Sequence, residues 1–415
     1  MWDVAVIGAG LSGIICARQL ADAGQRVCIL DKSRGLGGRM ATRRVQPTNG
    51  PASQSTTEPE RRVDHGLRYW QPQTKGLKAL TDELLAAGVL KKWAVSAYEI
   101  LEREVITPLR QTGVQTETQT GQSADPVLTE AVYVATAGMS AIAKHLTQGF
   151  TFGENLFTEH RATNLSYWDD HWRIDCDDQE SILARRCAIA IPAPQAADLL
   201  QTYLANTDNA QSQHSEAQHN SEMTAAIEKI KAVSYHPCLT VLAGYSEDKS
   251  QDMGELDPNG WMVTDKIGTS TDWVGLDSSK RDSLSNMANG QGQTAEAQGG
   301  KKGPIIVIHS KPAFAHQYID AGDLQPAASV LLRASARKFR EWIAQPSWFQ
   351  THRWRYARVS KAHPESAVLI NPSIVCGGDW CSSTPEGTSP PDSALTDIDQ
   401  AYLSGIAMAK AIHPQ

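Results

Sequence analysis

The feature that most restricts this chain lies in its first thirty-one residues. "VAVIGAGLSG" places Gly8, Gly10 and Gly13 in the pattern G-x-G-x-x-G, after an apolar run that reads as a strand and at the start of a helical stretch from Leu11 to Ala23. A second apolar run, "RVCIL", leads into Asp31. Each residue type has a task in holding a dinucleotide. Gly8 permits the tight turn, Gly10 lets the backbone approach a pyrophosphate, and Gly13 lets helix and strand pack closely. The free N–H groups of the first helical turn, at Leu11 and Ser12, then face the phosphates along the helix dipole. Asp31 is placed to accept from ribose hydroxyls.

The run that follows, "DKSRGLGGRMATRR", narrows the choice of dinucleotide. It is too glycine-rich for a helix and too charged for a core. A nicotinamide-binding domain has no need of a second glycine pair and an arginine directly after the acid. FAD, which lies extended across such a fold, does. Backbone amides at Gly37 and Gly38, with Arg39 and Met40, would reach its pyrophosphate or ribityl region, while Lys32 and Arg34 would flank the adenosine side. The bland alternative is a solvated basic loop.

Bulk properties exclude other classes. A chain of 415 residues suggests two or three domains or one interleaved pair, with room for a real core. A net charge of -7 gives no sign of a nucleic-acid or lipid binder. Seven cysteines without a C-x-x-C pair argue against a disulfide framework or zinc site and fit a reducing cytoplasm. No apolar run approaches the roughly 18–20 residues of a membrane span, and the apolar start lacks the basic flank of a signal peptide.

Three polar stretches, 45–62, 206–222 and 278–303, read as mobile surface insertions. His214 and His219 in the second read as solvated, and no metal site is expected. Elsewhere strand-like runs ("WRIDC", "CAIAIPAP", "PIIVIHS", "SIVCGGDW") alternate with helical patterns ("GLKALTDELLAAG", "GMSAIAKHLTQG", "IDQAYLSGIAMAKAI"). Strand–helix alternation at both ends with strands between predicts an α/β fold, a Rossmann-type domain interleaved with a second, β-sheet-containing domain.

Several segments together resemble the renalase-like FAD-dependent oxidoreductases of the amine-oxidase-type flavoprotein superfamily. They are "DKSRGLGGRMATRR", "VDHGLRYW", "TAGMSAIAKHL", "AIAIPAPQAADLL", "WVGLDSSK", "HRWRYA", "VCGGDWC" and "AYLSG", in order along nearly the whole chain. The resemblance implies an FAD-binding domain from 1–70, 135–200 and 365–415, and a substrate domain from 71–134 and 201–364. It implies non-covalent FAD, held also by Leu67, Arg68, Gly378, Asp379, Ile398 and Ala401. It further implies an oxidase that takes hydride from reduced or isomeric dihydronicotinamide nucleotides, restores oxidised NAD or NADP, and passes the electrons to dioxygen as hydrogen peroxide. No nucleic-acid or membrane partner is expected.

Flavin chemistry asks little of side chains, so no triad is expected. In the family the element around Asp379 and Trp380 lies beside the ribityl–pyrophosphate part of FAD, where a carboxylate would accept ribityl hydroxyls; Trp380 also reads as a core residue. The amides opening the last helix would favour negative charge on the reduced ring. Two departures stand out. The family's Val-Glu-Gly-Ala reads Ile398-Asp399-Gln400-Ala401 here, which sets a side chain near the flavin or shifts the backbone. His65 and Arg68 replace apolar and Gln residues, and Arg68 would stabilise reduced flavin or meet a substrate phosphate.

The strand "HRWRYARV" puts His352, Trp354 and Tyr356 on one face, suited to stacking a nicotinamide, with Arg353 and Arg355 on the other. Half-buried structural alternation gives the same pattern. If this strand is only a wall, Tyr69 and Trp70 are the next candidates for the substrate face. Two other functions compete. One is an amine oxidase for a small amine, disfavoured because Asp397 to Ala401 lacks the tyrosine of the Tyr-Met-Glu-Gly-Ala element. The other is a non-catalytic NAD(P)-binding flavoprotein, which would hold nucleotide without turnover.

Overall fold

The structure is a computed structural model that describes residues 1–45, 60–102, 105–108, 131–177, 179–207, 214–250, 257, 259–281, 303–382 and 397–413. It is mixed α/β, built around two large sheets. The first contains β1 (Trp2–Ile7), which leads through α1 (Leu11–Asp22) to β2 (Val27–Asp31). β1 pairs in parallel with β2 on one side and with the strand Gln179–Ile189 on the other. That 11-residue strand serves two neighbours along its far edge. Its first half pairs antiparallel with His171–Cys176, and its second half pairs in parallel with Ile374–Cys376.

The apolar residues of β1 and β2 run almost without a break because both faces of this sheet are covered. Val4, Val6 and Ile29 pack into the core that holds α1. Ala5, Ile7, Cys28 and Leu30 point the other way, into a core shared with the helices Ala193–Thr207 and His214–Lys231. α1 also packs on the final helix, Asp397–Ile412, where a Cβ at Gly405 would stand 2.6 Å from the Ser12 carbonyl oxygen.

The second sheet has seven strands in the order Trp348–Lys361, Ser234–Gly244, Ile305–Ser310, Thr271–Leu276, Trp261–Asp265, Ser96–Glu102, Val105–Pro108. Its pairings are antiparallel except that between Trp261–Asp265 and Ser96–Glu102. The helices Pro312–Tyr318 and Gln325–Lys338 bury Phe314, Leu331 and Leu332 against its Val241, Val274 and Ile308.

Two of the stretches read as loops carry structure. Within 206–222, residues from His214 onward begin the helix His214–Lys231, whose Met223, Ala226, Ile227 and Ile230 pack with the first sheet. Residues 208–213 and the side chains of His214 and His219 lie outside the description. The stretch 278–303 opens in a buried turn of 3₁₀ helix, Asp277–Lys280, so Lys280 is not on a solvated flank. Residues 282–302, like 46–59, lie outside the described residues; Val45 and Arg61 belong to the hairpin Thr42–Val45 and Arg61–Asp64.

That buried turn joins the hairpin to the second sheet through four charges. Asp64 meets Arg281 at 2.8 Å and Lys280 at 3.5 Å. Asp277 meets the same two cations at 2.8 and 2.9 Å. The side chains of Asp64, Asp277 and Lys280 are at most 1% exposed. Asp64 also accepts from the Thr42 hydroxyl at 2.7 Å and the Met139 N–H at 2.9 Å. Burial opposes its charge, but Lys280 and Arg281 outweigh that and hold its carboxyl below the usual range. Removing one partner of such a cluster leaves a buried charge uncompensated. Asp64→Ala should therefore lower unfolding free energy by about 3–5 kcal/mol in urea titration; a loss under about 1 kcal/mol would mean that Lys280 and Arg281 find water instead.

Candidate functional site

A cleft of about 1800 Å³ runs between the two sheets. One wall starts at the glycine-rich turn. Gly8 has φ +109°, and a Cβ there would lie 2.5 Å from the Ala190 carbonyl oxygen. Gly13 does not line the cleft. Its Cα sits against the turn, where a Cβ would be 1.9 Å from the Gly8 oxygen. Gly10 precedes α1 without a side-chain cap, and a Cβ on it would meet nothing within 4 Å. Leu11 and Ser12 therefore present uncapped first-turn amides to the cleft.

Asp31 takes on a structural task beyond the one read from the sequence. It accepts from the Ala9 N–H and from the Ser33 N–H, each at 2.7 Å. The carboxylate so braces the glycine-rich turn against the end of β2 while still lining the cleft beside Lys32. Gly37, at φ +102°, opens the 3₁₀ turn Gly38–Met40 and donates its N–H to the Ala9 carbonyl at 2.8 Å. A Cβ at Gly38 would come 3.5 Å from the Gly10 Cα, so the two backbones form a floor with no side chain in it.

Arg39 and Asp379, expected to reach a ligand separately, pair with each other through two hydrogen bonds of 2.5 Å. Burial works against the Arg39 charge, but Asp379 more than offsets it and raises the guanidinium pKa further. This pair ties the 3₁₀ turn to the C-terminal element, where Gly378 and Asp379 line the cleft. Trp380 is fully buried, donates to the Ile191 carbonyl at 3.1 Å and borders the cleft. Cys376 and Cys381 are buried, and burial pushes both thiols up, away from the reactive thiolate.

At the final helix, Ile398 and Ala401 line the cleft and Gln400 does not. Asp399 is buried and accepts from the Thr74 N–H and hydroxyl at 2.8 Å each and from the Gln73 N–H. The change from Gly to Gln therefore leaves the cleft wall to its neighbours. Asp397 lines the cleft too, its carboxyl raised by burial and by nearby Asp379.

The opposite wall comes from the second sheet and the segment 65–69. Leu67 donates to the Arg39 carbonyl at 2.8 Å, which docks this segment on the 3₁₀ turn. His65, Leu67, Arg68 and Tyr69 line the cleft, as do His352, Trp354 and Tyr356. Three rings cluster there: His65 and His352 with centroids 4.6 Å apart, His352 and Trp354 at 4.3 Å, and His65 and Trp354 at 5.2 Å. The Trp354 indole N–H donates to the His65 carbonyl at 2.9 Å. Tyr356 turns toward Tyr235, 5.3 Å away. Trp70 is not part of this wall; it is fully buried and donates to the Thr81 hydroxyl at 2.8 Å.

The arginines do not separate by face as alternation suggested. Arg353 and Arg355 also border the cleft, the first donating to the Ala321 carbonyl and the second paired with Asp320 at 2.7 Å. Arg68 is committed to Asp272 and donates its Nε–H to His309 Nδ1 at 3.1 Å. Asp272 and His309, absent from the sequence-based set, lie 204 and 241 residues from Arg68, and nothing local links them to it.

Comparison with known proteins agrees with this architecture. Residues 6–84 match the family of NAD(P)-binding Rossmann-like domains. Over 99% of this chain, the fold is similar to a putrescine oxidase redesigned for cofactor binding (TM-score 0.61, 12% identity, 98% of that chain). It is likewise similar to a putative protoporphyrinogen oxidase from Exiguobacterium sp. 255-15 (TM-score 0.59, 12% identity, 98% of that chain). A cyclohexylamine oxidase from Brevibacterium oxydans IH-35A matches with TM-score 0.57 and 12% identity over 99% of each chain. The chain thus has a Rossmann-type dinucleotide-binding domain in a fold shared with these oxidases. Among the described residues no helix is long and apolar enough to cross a membrane.

The imidazoles of this wall are neutral at ordinary pH. Burial, with His352 and Arg43 nearby, pushes His65 down to about 3; burial and Arg43 push His352 down to about 4. Below about pH 6.5 the unfolded chain binds protons on these groups that the native state refuses. Their effect is absent above that pH and destabilises the fold progressively as pH falls toward 4. His65→Phe should give a shallower fall in the urea midpoint between about pH 6 and pH 4.5 than the parent protein shows; an equal slope would mean that His65 titrates normally in the folded state.

Proposed function

We propose that this protein is a renalase-like FAD-dependent oxidase. It takes hydride from reduced or isomeric dihydronicotinamide nucleotides and uses dioxygen as acceptor, giving hydrogen peroxide and oxidised NAD(P). The observation that carries this reading is the pairing of walls across one cleft: a side-chain-free glycine floor with uncapped helix amides on one side, and a histidine–tryptophan wall edged by arginines on the other.

The residues present fit FAD. Gly10 and Gly38 leave the floor open for a pyrophosphate, and Gly8 and Gly13 hold the turn that shapes it. Leu11 and Ser12 would donate to phosphate oxygens. Asp31, with its amide bonds already made, keeps lone pairs for a ribose, beside Lys32. Arg39, Met40, Leu67 and Arg68 would lie along the middle of the cofactor, with Gly378, Asp379, Ile398 and Ala401 across from them. Burial of Cys376 and Cys381 away from the cleft supports non-covalent binding. When bound, the flavin supplies the hydride acceptor. Division of the chain into a cofactor part (1–70, 135–200, 365–415) and a substrate part (71–134, 201–364) is proposed with it, the helix His214–Lys231 joining the cofactor part by its packing.

The chain's own residues then bind and orient the substrate. Trp354 and His352 offer ring faces to a planar ring, and Arg353, Arg355 and Arg358 suit phosphates. A protonated amine would instead enter among these cations, which disfavours the amine-oxidase alternative.

Trp354→Ala should slow oxidation of a dihydronicotinamide nucleotide by about two- to tenfold, on the scale of a lost aromatic contact, while FAD content stays the same. Peroxide formed should match substrate consumed, one to one. A tryptophan variant with parental rates would move the substrate away from this wall. Separately, Asp31→Ala should weaken FAD binding by about 1–3 kcal/mol, the scale of a hydrogen bond to a charged group. An unchanged FAD dissociation constant would leave Asp31 only as a brace for the Ala9 and Ser33 amides.

A further inference from the structure

Arg68 is a permanent donor with no acceptor of its own. Its Nε–H points to His309 Nδ1 at 3.1 Å, and its far end is paired with Asp272. The guanidinium also lies 5.2 Å from the centre of the Trp273 ring, which packs against His309 at 5.3 Å. His309 is 6% exposed and borders the cleft. An imidazole whose Nδ1 accepts from arginine can carry its single proton only on Nε2.

We propose that the Asp272–Arg68–His309 chain locks His309 in its Nε2–H tautomer, so that His309 presents a fixed neutral hydrogen-bond donor to a carbonyl oxygen on the substrate ring, the carboxamide of a dihydronicotinamide. His309 is then a substrate-orienting residue and Arg68 a positioning residue behind it. Naming this substrate group rests on the function proposed above; the tautomer lock does not.

The surroundings work in one direction. Protonating His309 would put a hydrogen on Nδ1, against the Arg68 donor. Burial comes first in holding its pKa well below the ordinary value, followed by the charges of Arg68, Lys280 and Arg358, with His65 also facing it. Asp272 faces the group too, but it is already bonded to Arg68. With Nδ1 occupied, this histidine is no general base. A donor fixed in this way discriminates by polarity: it rewards an acceptor oxygen and gives nothing to an ammonium, which has only hydrogens to offer.

The first test is nitrogen-15 NMR of histidine-labelled protein, with the His309 signals assigned by their loss in His309→Gln. The expected pattern is acceptor-type Nδ1 and protonated Nε2 throughout about pH 5.5–8.5. In Arg68→Met, His309 should become a tautomer mixture and begin to titrate. A protonated Nδ1, or ordinary titration in the parent protein, would overturn the lock.

The second test takes whichever of reduced NAD and its 2- and 6-dihydro isomers reduces the bound flavin of the parent protein and compares it with its own thionicotinamide analogue, whose sulfur is a weaker acceptor. His309→Phe should slow the oxygen-bearing substrate by about tenfold and the sulfur-bearing one by much less, with FAD content unchanged. His309→Gln, which retains a donor, should recover part of the difference. Equal losses for both substrates, in a protein whose parent form is reduced normally, would overturn the carbonyl assignment and leave the proposed function standing. A parent protein that none of these dihydronicotinamides reduces would overturn that function and the carbonyl assignment with it, while the NMR result would still decide the lock.

Discussion

The cleft depends on a cluster of four charges that has almost no access to water. Asp64 ends the hairpin that runs beside the 3₁₀ turn, while Asp277, Lys280 and Arg281 follow a strand of the second sheet. Neither pair of like charges would tolerate burial alone. Together they satisfy each other, and they do so only in one relative placement of hairpin and sheet. His65 to Tyr69 follow Asp64 directly, so that placement also sets where the histidine and arginine of this segment enter the cleft.

The two walls of the cleft are tied by similar pairings of polar groups. Arg39 and Asp379 join the N-terminal turn to the C-terminal element. Asp399 holds the start of the final helix to Thr74. Asp31 braces the turn it was expected only to accompany. These groups are thereby fixed before any ligand arrives, which is how a rigid site reduces the entropy cost of binding. The histidines are held neutral by burial. The fixed positive charge of the site belongs to arginines and lysine, and this suits a phosphate-bearing ring better than an amine.

Much of this was legible in local sequence. The glycine pattern, the apolar runs of β1 and β2 and the acid at Asp31 report a Rossmann-type unit because backbone sterics and burial act over short range. His352 and Trp354 were legible for the same reason, through strand alternation. What alternation missed is that Arg353 and Arg355, on the strand at the end of the second sheet, border the cleft as well. Trp70 was misread because an aromatic next to Tyr69 looks equally fit for a core or a site; its hydrogen bond to Thr81 decides for the core. Lys280 was misread because a lysine flanking a polar stretch is normally solvated, and its two carboxylate partners include one more than two hundred residues away. Asp272 and His309 were invisible for the same reason: their partner Arg68 is brought to them only by the fold.

On the proposed function, FAD held in this cleft would take hydride from a dihydronicotinamide rather than from an amine. Anaerobic rapid mixing of the purified, FAD-loaded protein tests it most directly, with 2- and 6-dihydro isomers of NAD, ordinary NADPH, and a panel of small amines including putrescine. The account predicts that one or more dihydronicotinamides bleach the flavin band within the mixing experiment and that the amines leave it unchanged. Bleaching by an amine, with the nucleotides inert, would contradict it.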